Sequence, residues 1–380
     1  MASKNKNKRR ETSANVATVV NKIPLVSVII PVFNSAKFIP QTLESLLYQT
    51  MQDFEVIAVD DCSTDNSVEV VKSFAEKFGG RLHVIKLPKN TGTPGLPRNV
   101  GIQFARGKYI CFLDSDDLFT KTALEELSGL AEEYQADFVH TEGYYVLWKD
   151  QRIPVDFPKM TDMNELTNPK NFSYKTLKRS LLSPLKNPIF ESENLLERLK
   201  RWVSWDYDWS TCTVFCLRDF LAKNQIYFSS MRTSEDVSFS FECLFRAKKY
   251  LRVPNITYII RPRMGSISRD NPTIEEHFHK RIGALSVGFN EFVRIMDDIT
   301  FFEGHPNYCY AVLEWFANFR IPITLGFYTK IPAFKLNELV KREFHPDDAA
   351  LGAYLFNTVN VYRLQIMKLQ QQLNALKNAK

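Results

Sequence analysis

At 380 residues, 44% hydrophobic and 24% charged, the chain is long enough for two domains or for one large domain with appendages, and it can bury a real core. No segment approaches the ~20 continuous apolar residues of a membrane span, and the N-terminus "MASKNKNKRRETSANVATVV" lacks the apolar stretch of a secretory signal, so the expected location is the cytoplasm. The net charge of +6 is modest, no basic and aromatic nucleic-acid module is present, and Lys4, Lys6, Lys8, Arg9 and Arg10 fall in a polar tail, residues 1–23, that reads as disordered.

From Val26 the chain becomes periodic. "VSVIIPVFN" reads as a buried strand ending at Pro31, and "AKFIPQTLESLLYQ" carries apolar residues at helical spacing. "FEVIAVDDCSTDNS" is a second apolar run ending in acids and hydroxyls that can cap the helix "SVEVVKSFAEKF". "LHVIKLP" is a third strand, "PRNVGIQFARG" a helix starting near Arg98 and closed by Gly107, and "YICFLDS" a fourth strand. Continuously apolar strands alternating with helices predict an α/β fold whose mostly parallel sheet is covered on both faces. Ligands of such sheets bind beyond the C-terminal strand ends. Those ends carry Asn34, then Asp60 and Asp61, then Asn90, then Asp114, Asp116 and Asp117, which should converge on one edge.

The stretch from Trp148 to Trp202, rich in Lys, Pro, Asn and Ser, reads as loops and short helices. "SEDVSFSFECLFRAKKY" has a helical stripe opening on Ser234 and two acids, and "LRVPNITYIIRPR" reads as a strand pair or edge strand. Beyond Asn271 the pattern is helical and aromatic. In the last segment Leu355, Val359, Tyr362, Ile366, Leu369, Leu373 and Leu376 alternate at spacings of four and three, which suits a coiled coil through which the chain self-associates, or an amphipathic helix docked on its own domain. The six cysteines suit reduced core thiols; Cys212 and Cys216 have helical spacing but no second ligand pair to make a zinc site.

Asp114 and Asp116 flank one residue after a buried strand, so an extended backbone would point both the same way, a pair of hard donors suited to Mg²⁺ or Mn²⁺. The same acids also suit a polar turn, and Asp117 reads as a helix cap. "NTGTPGLPRN", residues 90–99, is a rigid loop before a helix, where Arg98 could meet phosphate or a base, or act as a surface cap. No Gly-x-Gly-x-x-Gly and no Gly-Lys-Ser/Thr loop occurs, which counts against nicotinamide binding and ordinary NTP hydrolysis.

In their order, "VSVIIPVFNSAKFIPQTLESLLYQT", "FEVIAVDDCSTDNS", "GTPGLPRNVGIQFARGKYICFLDSDD" and "SEDVSF" resemble the motifs of family 2 glycosyltransferases of the GT-A fold over residues 24 to 265. The form of these motifs, with Cys62 where Gly is more usual, is most similar to bacterial enzymes of cell-surface polymers, including wall teichoic acid transferases. The resemblance implies a nucleotide-sugar donor, UDP first, and a glycan or surface-polymer acceptor on elements within about 148–234. It implies that Pro31, Phe33 and Asp61, ahead of Asp60, hold base and ribose, with Asn34 and Ser115 beside them, and that Asn90 and Arg98 add base or phosphate contacts. Asp114 would face the sugar or ribose, Asp116 would ligate Mn²⁺ or Mg²⁺, and Asp236 of Glu235-Asp236 would be the catalytic base. Arg261 and Arg263, with Ser266 and Ser268, fall where a mobile segment closes over the diphosphate, and His277 and His279 are the nearby candidates for a further group at the metal. A helical region over 266–354, an amphipathic or coiled-coil helix over 355–380 through which the chain would oligomerise, and a basic tail that is solvated without a specific partner or touches the inner membrane face complete the expected organisation. Two other readings compete. "FLDSDDLF" also resembles the Asp-X-Asp strand end of a haloacid-dehalogenase-type phosphatase, although three βα units precede it here, and a GT-A-like protein without catalysis would keep the fold alone.

Overall fold

In the computed structural model, residues 23–147, 172–176, 185–207, 209–261, 273 and 283–320 are described, with isolated helical positions at 338, 342, 368, 369, 371 and 372. Residues 1–22 of the basic tail, Arg263, Ser266, Ser268, His277 and His279 lie outside the described residues, and so does all of the 355–380 segment but those last four positions.

The strands are β1 (Val26–Val32), β2 (Phe54–Asp60), β3 (Leu82–Lys86), β4 (Tyr109–Phe112), β5 (Leu118–Phe119), β6 (Phe138–Thr141), β7 (Gly143–Leu147), β8 (Phe172–Thr176), β9 (Ile189–Phe190), β10 (Val214–Leu217), β11 (Tyr250–Val253) and β12 (Tyr258–Ile260). The helices are α1 (Ile39–Leu47), α2 (Ser67–Ser73), α3 (Gly95–Phe104), α4 (Ala123–Tyr134), α5 (Leu195–Val203), α6 (Arg218–Lys223), α7 (Glu235–Arg246), α8 (Gly283–Asp297) and α9 (Pro306–Arg320). The main sheet has the order β3-β2-β1-β4-β10-β6-β11-β9, and β5-β12-β7-β8 form a smaller sheet. β1 pairs in parallel with β2, with Val32 opposite Asp60, and with β4, with Ile29 opposite Phe112. β2 continues in parallel to β3, so these four strand ends share one edge.

Strand alternation divides the core into two layers. Ile29, Ile57, Val59, Ile110 and Phe112 face α5–α9, together with residues of α3, whereas Val28, Ile30, Val56, Ala58 and Cys111 face α1, α2 and α4. Both faces are covered, as the continuous apolar runs predict.

Several elements differ from the sequence reading. The third helix starts at Gly95 and ends at Phe104, not at Gly107. Gly107 instead lies against β1, where a Cβ would come within 2.6 Å of the Ser27 nitrogen. β11 is no edge strand: it lies between β6 and β9. β10, from the region beyond Trp202, is an interior strand antiparallel to both β4 and β6. Cys212 sits in a 3₁₀ turn and Cys216 in β10, so the two do not share a helix. None of the six cysteines, all among the described residues, forms a disulfide, and Cys111, Cys216 and Cys243 are buried.

Candidate active site

Beyond β1 the chain crosses Phe33, 42% exposed, to Asn34 in the left-handed region at φ +46°. The Asn34 side-chain oxygen accepts from the amides of Thr64 and Asp65, and the Ser35 amide donates to Ser67 Oγ at 2.8 Å. Asp65 in turn accepts from the Ala36 amide at 3.1 Å. These bonds stitch the loop after β1 to the loop after β2. Asp60 and Asp61 are both buried. Asp60 accepts the Ser63 amide, while Asp61 accepts the Thr91 amide at 2.9 Å and its hydroxyl at 3.0 Å, tying in the loop after β3. Exposed Asn90 closes a turn by accepting the Gly92 amide at 2.7 Å. The acids and amides at these strand ends thus tie three loops together at one edge of the sheet. Pro31 is buried within β1.

The acidic segment after β4 does not stay extended. It turns at Ser115-Asp116, with the Asp117 amide bonded to the Asp114 carbonyl at 3.0 Å, so strand alternation does not orient the two outer acids. Asp114 and Asp116 are half-buried, whereas Asp117 is turned inward. Its carboxylate accepts from the Tyr258 hydroxyl at 3.0 Å and from the Arg261 amide at 2.8 Å, and α4 begins later, at Ala123, so Asp117 caps no helix. Burial, then the negative charges of Asp116 and Asp114, push the Asp117 carboxyl well above the usual carboxylate range. The Tyr258 hydroxyl also accepts from the Asp114 amide at 3.0 Å. Ser115 is buried as well and shares a hydrogen bond of 2.6 Å with Ser35.

Arg261 is buried behind this loop. Its guanidinium donates to the Asp116 carbonyl, to Gln41 at 2.5 Å, to the Phe38 carbonyl at 3.1 Å and to Thr42 at 2.8 Å. It therefore braces the acidic turn against α1, where the sequence placed it in a closing segment. No local pattern in "YIIRPR" distinguishes the two.

Arg98 is 4% exposed and caps no surface. One arm donates to Asp114 at 2.7 Å and another reaches Glu235 at 3.3 Å, while Nε has no hydrogen-bond partner among the described residues. Burial works against this cation, yet the carboxylates of Asp114 and Glu235 outweigh it and hold the guanidinium above its ordinary pKa. Gly95 permits the approach, because a Cβ there would meet Glu235 Cγ at 2.9 Å. Arg98 is thus a strut between the acidic turn and the first turn of α7.

Glu235 and Asp236 open α7. Glu235 is raised above the usual carboxylate range by burial first and by the Asp236 charge second. Asp236, half-buried, is raised by burial, against which Arg98 and its own bond to the Val237 amide act. A carboxylate with a raised pKa is suited to accept a proton near neutrality. The sequence pointed to this pair; it gave no sign of Thr91, Tyr258 or Arg320, which hold the surrounding loops through contacts distant in the chain.

A family model described as "Glycosyl transferase family 2" matches residues 27–184. The chain carries a family 2 glycosyltransferase domain. It is 28% identical to the "Uncharacterized glycosyltransferase EpsJ" of Bacillus subtilis over 71% of each chain. It is 30% identical to the poly(ribitol-phosphate) β-N-acetylglucosaminyltransferase TarP of Staphylococcus aureus over 62% of each. With TarS of S. aureus, named for the same activity, it shares 41% identity over 29% of this chain and 19% of TarS. The chain thus spans less than two thirds of TarP and about a fifth of TarS. The fold is shared with S. aureus TarS 1-349 in complex with UDP-GlcNAc, at a TM-score of 0.61 and 22% identity over 90% of this chain and 91% of that one. Asp236, Arg261 and Arg320 lie beyond the residues that the family model matches.

Proposed function

We propose that this glycosyltransferase moves a sugar from a UDP-sugar to a hydroxyl of a cell-surface polymer, in one inverting displacement with Asp236 as general base. The observation that carries this reading is the Arg98 strut, which links Asp114 at the strand-end edge to Glu235 beside Asp236. It brings a donor cleft and a carboxylate base within one guanidinium of each other. Relatives named as poly(ribitol-phosphate) β-N-acetylglucosaminyltransferases make N-acetylglucosamine and a polyol-phosphate chain the first donor sugar and acceptor to test.

Asp114 and Asp116 offer hard oxygen donors at a half-buried turn, which fits Mg²⁺ or Mn²⁺. Among the described residues no three His, Cys, Asp or Glu side chains gather into a metal site, which fits an ion that takes its remaining ligands from water and the substrate diphosphate. A divalent cation held by Asp116 would supply charge neutralisation for the leaving diphosphate. The protein's own groups do the rest. The loops after β1, β2 and β3 bind the nucleoside, Asp114 faces the sugar, and Asp236 takes the acceptor hydroxyl's proton as that oxygen attacks the anomeric carbon.

Among the described residues no helix is long and apolar enough to cross a membrane. The reading places the work at the cytoplasmic membrane face, with residues 24–265 as the catalytic unit, the helical region beyond it, and self-association through residues 355–380. The test is Mn²⁺-dependent hydrolysis of UDP-GlcNAc and other UDP-sugars. Turnover that disappears in Asp116→Ala supports the proposal; no turnover and no nucleotide binding overturns it, and phosphate release from phosphomonoesters alone would favour a phosphatase.

A further inference from the structure

Helix α9 ends on a buried arginine that reaches the loop leading into Asp236. Arg320 is 1% exposed, and its guanidinium donates to Ser234 Oγ at 2.6 Å and to Thr233 Oγ1 at 2.7 Å. Ser234 has φ +74°, a left-handed conformation uncommon outside glycine, and it directly precedes Glu235 and Asp236. Serine is a favoured N-cap, yet this hydroxyl makes no cap bond to α7. Its bond to a guanidinium 86 residues away takes the place of a local cap. The end of α9 is also anchored to α7 by a second route. Phe319 stacks on Trp315 at 5.7 Å and meets Trp209 edge-on at 4.9 Å, and the Trp209 carbonyl accepts from Ser240 Oγ at 3.0 Å. Ser240 lies one turn along α7 from Asp236.

We infer that Arg320 is a positioning residue for the transfer reaction: by gripping Thr233 and Ser234 it fixes the left-handed turn from which Asp236 is presented, so α9 completes the active site. This rests on the proposed role of Asp236. The planar guanidinium fork serves both hydroxyls at once, and a lysine ammonium cannot match that geometry. Among the described residues the charged groups around Asp236 include Glu235 on its own helix, Arg98 from α3 and Arg320 from α9, the two arginines favouring its ionised form.

The experiment uses the full chain and its Arg320→Lys, Arg320→Gln and Ser234→Gly variants, with UDP-GlcNAc and Mn²⁺. Misplacing the base should lower kcat by about ten- to a hundredfold in Arg320→Gln, less in Arg320→Lys, and leave the donor KM within roughly a factor of two. The acidic limb of the pH profile should move to higher pH in Arg320→Gln. Ser234→Gly, which accepts a positive φ without strain, should restore part of the kcat lost in Arg320→Lys. A readout without turnover is the ¹³C-carboxyl titration of Asp236, assigned with Asp236→Asn, which should rise in Arg320→Gln. That titration decides the inference even if the wild type hydrolyses no nucleotide sugar, an outcome that would count against the proposed function alone. Wild-type kcat in Arg320→Gln, or a kcat loss that only tracks a lost folded fraction while the Asp236 titration is unmoved, would overturn it.

Discussion

The site has two acidic segments, 114–117 and 235–236, and they are held in different ways. The first grows out of β4, whose parallel register with β1 delivers it to the edge, and it is braced from behind by Tyr258 and Arg261. The second begins a helix that no parallel strand delivers; Arg98 holds it from the side of Asp114 and Arg320 from α9. The proposed donor half is therefore a property of the sheet, and the proposed base half depends on two long-range cations. Damage to the braces of the first segment should weaken the fold and donor binding together, whereas damage to the second should separate rate from binding.

Arg98 joins the two halves, so its removal is the harshest break. Arg98→Ala leaves Glu235 buried without its counter-charge and should cost about 3–5 kcal/mol in denaturant-derived stability. Arg261→Gln, confined to the first segment, should cost about 1–3 kcal/mol and raise the donor KM, since it frees the Asp116 carbonyl and α1 contacts. The base half has a pH signature. As the proposed base, Asp236 must be ionised to accept a proton, and burial raises its pKa, so kcat/KM should fall as pH drops through a value above the ordinary aspartate pKa of about 3.9. An acidic limb at the ordinary value would show that Asp236 is not the titrating base. Tyr258→Phe is the mildest test: losing one hydroxyl between Asp114 and Asp117 should cost about 1 kcal/mol, seen as a lower thermal midpoint, and leave the pH limb unmoved.

The same contrast explains what could be read from the sequence. β1, β2 and β4 announce themselves because buried parallel strands are continuously apolar, and their polar ends must then meet at one edge. Asp236 was legible only through the resemblance of "SEDVSF" to a family motif. The insertion of β10 between β4 and β6 was not legible, since a four-residue apolar strand carries no record of its neighbours. Arg98 and Arg261 were legible as cations near the site, but their inward direction was not. Burial of an arginine depends on carboxylates and carbonyls that other segments bring to it, and Asp114, Glu235 and the Phe38 carbonyl are distant in the chain.

The measurement closest to the central claim is an early-time proton NMR spectrum of the sugar released from α-linked UDP-GlcNAc in the presence of Mn²⁺, for the wild type and for Asp236→Asn. A single displacement from the face opposite the diphosphate predicts the β-anomer first in the wild type, and a rate lower by roughly 10²-fold or more, with little change in donor KM, in Asp236→Asn. Release of the α-anomer first, or an undiminished rate in Asp236→Asn, would contradict the account.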